Sequence, residues 1–209
     1  MTAAWIRWLS RKLERKVEMK DKEKLTVVTL CGSIRKDSYN AALLRALPGI
    51  ASGEFVFRDG PSVADVPIYD ADLERVSGFP SVITALANDI READGVIIAS
   101  PEYNYSIPGG MKNLLDWVSR TPNQPFAKKP VLIQSVSGGA LGGARMQHHL
   151  RQVLVFLNSR VLARPEVMIG PASQRFDEGG LLIDKATRDV VRSQLEEFSD
   201  FIRELLDKR

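Results

Sequence analysis

Three uncharged apolar runs constrain this chain more than any other feature. Leu25–Cys31 reads Leu-Thr-Val-Val-Thr-Leu-Cys, Gly95–Ala99 reads Gly-Val-Ile-Ile-Ala, and residues 131–135 read Val-Leu-Ile-Gln-Ser. A strand with one wet face alternates apolar and polar residues; a strand buried on both faces does not. Between the runs stand stretches with helical periodicity, long enough to cross from one parallel strand to the next. Strands of this kind alternating with helices imply a parallel sheet covered on both sides.

The remaining elements follow from local signals. Residues 40–47 make a short helix that Pro48 should stop, and 54–58 make a weaker second strand. Residues 60–78 show no convincing period and read as a long connection. Pro80-Ser81 opens a helix over 81–93, with Ser81 placed to cap it. Residues 108–120 form the next helix and 121–129 a loop. Residues 142–159 form a fourth helix. Residues 161–163 join Val167–Ile169 as a fifth strand around Pro165. Lys185–Leu206 closes the chain as a helix, with Val190, Val191, Leu195, Phe198, Ile202, Leu205 and Leu206 on one side. Five strands and five helices fit the doubly wound order 2-1-3-4-5, whose crevice lies beyond strands one and three.

At 209 residues the chain suits one domain, expected over 25–209. No apolar run approaches the ~20 residues of a membrane span. The start lacks the long apolar core of a secretory signal, which points to the cytoplasm. Of the formal +3 charge, residues 1–24 hold +4, so the rest carries −1; this argues against nucleic acid. That basic leading segment has a loose apolar stripe of Trp5, Leu9, Leu13 and Val17. It reads as a helix packing on a neighbouring subunit, as a membrane-surface helix, or as sequence upstream of a true start at Met19, in each case without a catalytic role. Cys31 is the single cysteine and ends an apolar run, so a buried, inert thiol is expected. His148 and His149 are adjacent and would face different ways on a helix; no zinc spacing occurs, and no metal is expected.

Three loops carry candidate chemistry. Residues 32–40, Gly-Ser-Ile-Arg-Lys-Asp-Ser-Tyr-Asn, place hydroxyls, a guanidinium and an amide at a strand-to-helix turn. A phosphate wants such donors beside a helix N-terminus. Neither the Walker nor the dinucleotide glycine pattern is present. Taken alone, the loop fits a plain turn capped by Ser38 equally well. Residues 100–110, Ser-Pro-Glu-Tyr-Asn-Tyr-Ser-Ile-Pro-Gly-Gly, decide the matter, because a core does not need two tyrosines, an acid and an amide in one connection. A flat aromatic ligand explains them. Tyr103 and Tyr105, two apart in an extended segment, should point the same way. Residues 135–143 hold four glycines whose exposed amides let a ligand approach.

Gly-Ser-x-Arg-x-x-Ser-x-Asn at 32–40, Pro-Glu-Tyr-Asn-Tyr-Ser-x-Pro-Gly at 101–109, and Lys112-Asn113 with Asp116-Trp117 resemble the NADPH-dependent FMN reductases, most of all the bacterial chromate and quinone reductases. Gly142-Gly143-Ala144-Arg145 through Leu150-Arg151-Gln152 agrees, and the similarity runs from about 25 to 206. The resemblance implies a flavodoxin-like three-layer α/β sandwich with a five-stranded parallel sheet in order 2-1-3-4-5. It also implies one non-covalent FMN per subunit. Ser33, Arg35, Ser38 and Asn40 would hold the FMN phosphate, with Tyr39 in the same cofactor-binding loop. Pro101, Glu102, Tyr103 and Asn104 would line the isoalloxazine ring, Tyr105 would help to wall it, and Ser137 and Gly138 would approach it. Glu102 is expected to act through its backbone, its side chain solvated. Arg35 serves either the FMN phosphate or the 2′-phosphate of NADPH.

By the same resemblance, NADPH or NADH passes hydride to the flavin. An acceptor then takes its place: a quinone, chromate or another metal oxyanion, or an azo compound. One site used twice predicts ping-pong kinetics without an obligatory general acid. A homodimer or homotetramer is implied, with Arg145 and Glu166 pairing between subunits. Two other readings stay open: a one-electron carrier, and a binding module that has kept the fold without flavin.

Overall fold

The computed structural model describes residues 24–208. The order is β1 (Leu25–Cys31), α1 (Tyr39–Ile50), β2 (Phe55–Asp59), α2 (Ala71–Ser77), α3 (Ser81–Glu92), β3 (Gly95–Ala99), α4 (Gly109–Arg120), β4 (Pro130–Val136), α5 (Ala144–Phe156), β5 (Arg160–Val161), β6 (Val167–Ile169) and α6 (Lys185–Leu206). The expected leading extension lies almost wholly outside the described residues.

All pairings are parallel, in the order β2-β1-β3-β4-β5. β5 pairs with Pro130 and Val131, and β6 with Gln134 to Val136, so both share the β4 edge opposite β3. They are two halves of the one strand that Pro165 interrupts. This is the flavodoxin-like α/β fold.

Alternate residues of the central strands feed two cores. Val28, Leu30, Val96, Ile98, Val131 and Ile133 pack with α3, α4 and α5. Leu25, Val27, Ile97, Leu132 and Val136 pack with α1 and α6. The three central strands are buried almost throughout, which is why they show no polar alternation. On the first face Trp117 is fully buried, its indole N–H donating to the Pro67 carbonyl at 2.8 Å, with Tyr69 and Phe79 edge-on to its ring.

Several local expectations need correction. α1 continues through Pro48 to Ile50, because the missing proline N–H falls in the last turn and Ile50 is buried there. Ser81 is the first helical residue of α3 and not its cap; Pro80 holds the cap position without a side-chain bond. The connection 60–78 contains a 3-10 turn at Val63–Asp65 and the helix α2, capped by Asp70 through the Asp72 N–H. α2 buries no residue, so it leaves no apolar period to read. α5 begins only at Ala144, since Gly142 and Gly143 both take positive φ.

Candidate functional site

The carboxyl ends of β1, β3 and β4 open into three neighbouring loops. Their closeness is set at Gly32: a Cβ there would meet the Ser100 hydroxyl at 2.2 Å, and the Gly32 N–H donates to the Ala99 carbonyl. Only glycine lets the first loop leave β1 this near to β3. Two surface cavities, about 400 Å³ beside Phe79 and Thr121 and about 230 Å³ beside Glu166 and Thr187, lie elsewhere and take no lining residue from these loops.

In the first loop Ser38 is buried and caps α1, its hydroxyl accepting the Ala41 N–H at 3.3 Å. The Ala42 N–H goes to the Ser38 carbonyl. The amides of Tyr39 and Asn40 precede the first intrahelical bond and stand at the positive end of the helix. The Ser33 hydroxyl accepts the Arg35 N–H, and Arg35 itself is exposed. Tyr39 packs inward on Phe176, ring centroids 5.2 Å apart. The Asn40 side chain also has another duty: its Nδ2 donates to the Val136 carbonyl at 3.0 Å and its Oδ1 accepts the Val136 N–H at 2.9 Å. Asn40 can thus offer a phosphate its backbone N–H and the one amide hydrogen that Val136 does not take. Burial pushes the Cys31 thiol above its ordinary range, and Sγ lies 3.6 Å from the Ser33 carbonyl, as suits an unreactive thiol.

The second loop is not extended. Tyr103 and Ser106 exchange both backbone hydrogen bonds, and Asn104 and Tyr105 between them have φ of 47° and 70°. Positive φ at both central residues is the pattern of a tight two-residue turn whose twist matches its flanks. Tyr103 is 46% exposed and Tyr105 65% exposed, so both rings stand outside the core because of the turn. Tyr105 carries the Arg145 guanidinium 3.9 Å from its ring centroid. His149 Nδ1 lies 3.0 Å from the Ser106 hydroxyl, joining α5 to the same turn.

The Glu102 side chain is not solvated. It accepts the N–H groups of Arg145 and Met146 and pairs with the Arg145 guanidinium at 3.2 Å. Arg145 thus has an ion pair within its own chain, and Glu166 has another with Arg151 at 3.4 Å. Each would have to share its partner in a pairing across subunits.

In the third loop Ser137 is fixed by backbone bonds to Ile169 and Ala172, and its hydroxyl accepts the Gly139 N–H. Gly138 is exposed, with no atom within 4 Å of where a Cβ would stand. Its backbone faces open space, as an approach to a flat ring requires. Sequence reasoning missed the roles of Ser135, Glu102 and Gln147 around this loop. One signal for the Glu102 cap was present: Gly143 precedes α5 and brings no capping side chain, so the helix must find an acceptor elsewhere.

FMN fits this arrangement. The amino end of α1, the Ser33 hydroxyl and the Arg35 guanidinium are donors of the kind a phosphate would need, and the exposed backbone at Gly138 with two outward tyrosines would suit a flat ring. Fold and site together define a flavodoxin-like mononucleotide-binding protein. Comparison with known proteins is specific beyond that. The family model of the NADPH-dependent FMN reductases matches residues 25–174. A quinone reductase of Escherichia coli K12 is 53% identical over 182 residues, covering 87% of this chain and 97% of that protein. An NAD(P)H-dependent FMN reductase of Pseudomonas aeruginosa is 40% identical over 181 residues, covering 87% and 97%. Among solved structures, the flavoenzyme NAD(P)H:(acceptor) oxidoreductase FerB of Paracoccus denitrificans superposes with a TM-score of 0.78 at 30% identity, covering 86% of this chain and 98% of that one. The chain belongs to the NADPH-dependent FMN reductases: it is an oxidoreductase that uses FMN, with NAD(P)H as donor. Among the described residues, no helix is long and apolar enough to cross a membrane.

Proposed function

We propose that this enzyme reduces quinones with NAD(P)H in the cytoplasm, using one crevice for donor and acceptor in turn. The observation that carries the reading is that loops 32–38, 100–108 and 137–143 leave the carboxyl ends of the neighbouring parallel strands β1, β3 and β4, as a shelf on which Arg35, Tyr103, Tyr105 and Gly138 are exposed. The chemistry that bound FMN would supply is acceptance of hydride from NAD(P)H and donation of the electrons to the acceptor. The amino end of α1, Ser33 and Arg35 bind its phosphate. Ser137 and Gly138 present backbone against the ring, and Tyr103 and Tyr105 bound the space where nicotinamide and quinone alternate. No side chain of the crevice is required to move a proton, because the shelf is open to water. Identity to the Escherichia coli quinone reductase supports the choice of acceptor. Chromate and azo compounds are further candidate acceptors.

Rapid mixing with NADPH should bleach the flavin, and steady-state lines at varied quinone should be parallel. A flavin that NADPH does not bleach would indicate a carrier, and protein that stays colourless with FMN a binding module. In an acceptor series of quinones, free flavin, chromate and azo dyes, a quinone should give the highest kcat/KM. For the phosphate assignment, Arg35→Ala should weaken FMN by one charge-assisted hydrogen bond, about 1.5–3 kcal/mol or roughly 10- to 150-fold in Kd. Unchanged affinity on fluorescence titration refutes that role for Arg35.

We also propose a homo-oligomer. Val155 and Phe156 at the carboxyl end of α5 are 76% and 84% exposed. Large apolar groups left exposed side by side at a helix end are candidates for an association surface. Phe156→Asp should shift the protein toward monomer in sedimentation velocity; an unchanged distribution places the interface elsewhere.

A further inference from the structure

Glu102 belongs to two parts of the site at once. Its main chain is the second residue after Ser100 in the ring-side loop, while its carboxylate serves α5. Oε2 accepts the Arg145 N–H at 3.0 Å and the Met146 N–H at 3.2 Å, and Oε1 accepts from the Arg145 guanidinium at 3.2 Å. All three partners are donors, so both carboxylate oxygens act as acceptors. α5 depends on it, because Gly143 at the cap position has no side chain to offer the first turn. The carboxylate also places negative charge at the positive end of the helix. Its side chain is only 14% exposed, so water competes poorly for these bonds. From beneath, the Ser135 hydroxyl donates to the Gly142 carbonyl at 2.6 Å, and Gln147 Nε2 donates to Ser135 Oγ and to the Val167 carbonyl. From the front, the Glu102 carboxylate spans from loop 100–108 to the beginning of α5 by hydrogen bonds, and it holds the guanidinium that lies on Tyr105.

We infer that Glu102 is a positioning residue: its carboxylate fixes the distance between the two ring-side loops and, through Arg145, the stance of Tyr105. The inference rests on the assignment of those loops to the flavin ring. The carboxylate need not touch the flavin. A cap supplied from within its own loop would leave the two walls independent; a cap supplied across the crevice couples them.

The test compares Glu102→Gln and Arg145→Met with wild type, each as the full chain. Glutamine turns an N–H₂ toward groups that are themselves donors, and methionine removes the guanidinium while the backbone cap stays. Glu102→Gln should raise the FMN Kd by about tenfold, the effect of a lost charge-assisted bond. It should also speed hydrogen exchange of the Arg145 and Met146 amides by a similar factor. Arg145→Met should keep both within twofold of wild type and raise only the KM for benzoquinone. A merely structural role would lower the melting temperature of Glu102→Gln and leave Kd and exchange unaltered in the folded protein. Wild type that takes up FMN beside an indifferent Glu102→Gln overturns the inference alone. Wild type that takes up none overturns the ring-side assignment and the inference with it. Arg145→Met losing FMN as fully as Glu102→Gln also overturns it, since the guanidinium and not the cap would then carry the effect. If Glu102→Gln does not fold, Glu102→Asp, one methylene short of the α5 amides, is read by the same criteria.

Discussion

Asn40→Ala is expected to lower the unfolding free energy by about 3–4 kcal/mol, because two buried backbone groups lose their partners at once. The Asn40 amide meets both the N–H and the carbonyl of Val136, at 2.9 and 3.0 Å, and is only 3% exposed. Alanine leaves a donor and an acceptor facing a space that water enters poorly. An unsatisfied buried group costs more than a made bond contributes, so the loss should exceed that of an ordinary surface hydrogen bond. The same clamp ties the first turn of α1 to the end of β4, so FMN affinity should fall as well. Asn40→Asp should keep the Val136 N–H bonded and lose only the carbonyl, giving an intermediate value, with the added cost of a buried charge. Urea denaturation by circular dichroism gives the first number and fluorescence titration the second. A loss below about 1 kcal/mol would mean that the Val136 groups find other partners.

Two glycines of the third loop should respond in opposite ways. At Gly142 a Cβ would stand 2.5 Å from the Met168 carbonyl carbon, 2.7 Å from its oxygen and 2.8 Å from the Ile169 nitrogen, all backbone of β6 or the bond leading through it. Its φ is +59°, a region that disfavours side chains by about 1–2 kcal/mol before any clash is counted. Relief requires moving either the loop or β6, whose ladder to β4 runs from Gln134 to Val136. Gly142→Ala should therefore cost about 3 kcal/mol or more and loosen the ring-side wall. Gly138 has no atom within 4 Å of its Cβ position and no positive φ. Gly138→Ala should leave stability within about 0.5 kcal/mol. Its effect should appear in FMN affinity, through a methyl group on the face proposed for the ring. Equal stability losses in the two variants would contradict this account of the loop.

The sheet was legible because its central strands are buried on both sides and so carry no charge. The split edge strand was legible because Pro165 sits where pairing must lapse. α2 was not, since it buries nothing, and its local marks were confined to its ends, the Asp70 cap and Gly78 at positive φ. α1 ran past Pro48 because a proline in the final turn removes a bond that the helix can spare while Ile50 is buried. The site divides in the same way. That loops 32–38, 100–108 and 137–143 would stand together follows from strand order. What Asn40 and Glu102 do with their side chains does not, because their partners lie 96 and 43 residues away and long-range bonds leave no period in the sequence. Tyr103 and Tyr105 were read as extended neighbours, whereas Asn104, a residue that tolerates positive φ, marked a reversal between them.

That reversal bears on how quickly the enzyme can work. Tyr105 holds a left-handed backbone unusual for an aromatic residue, locked by both turn bonds and by the guanidinium lying over its ring. Two backbone hydrogen bonds and one cation–ring contact thus hold the turn at the edge of the proposed crevice. On the function proposed above, nicotinamide and its successor would pass the same turn in the same shape, and the pace of a cycle would rest on the departure of the first guest and the arrival of the second.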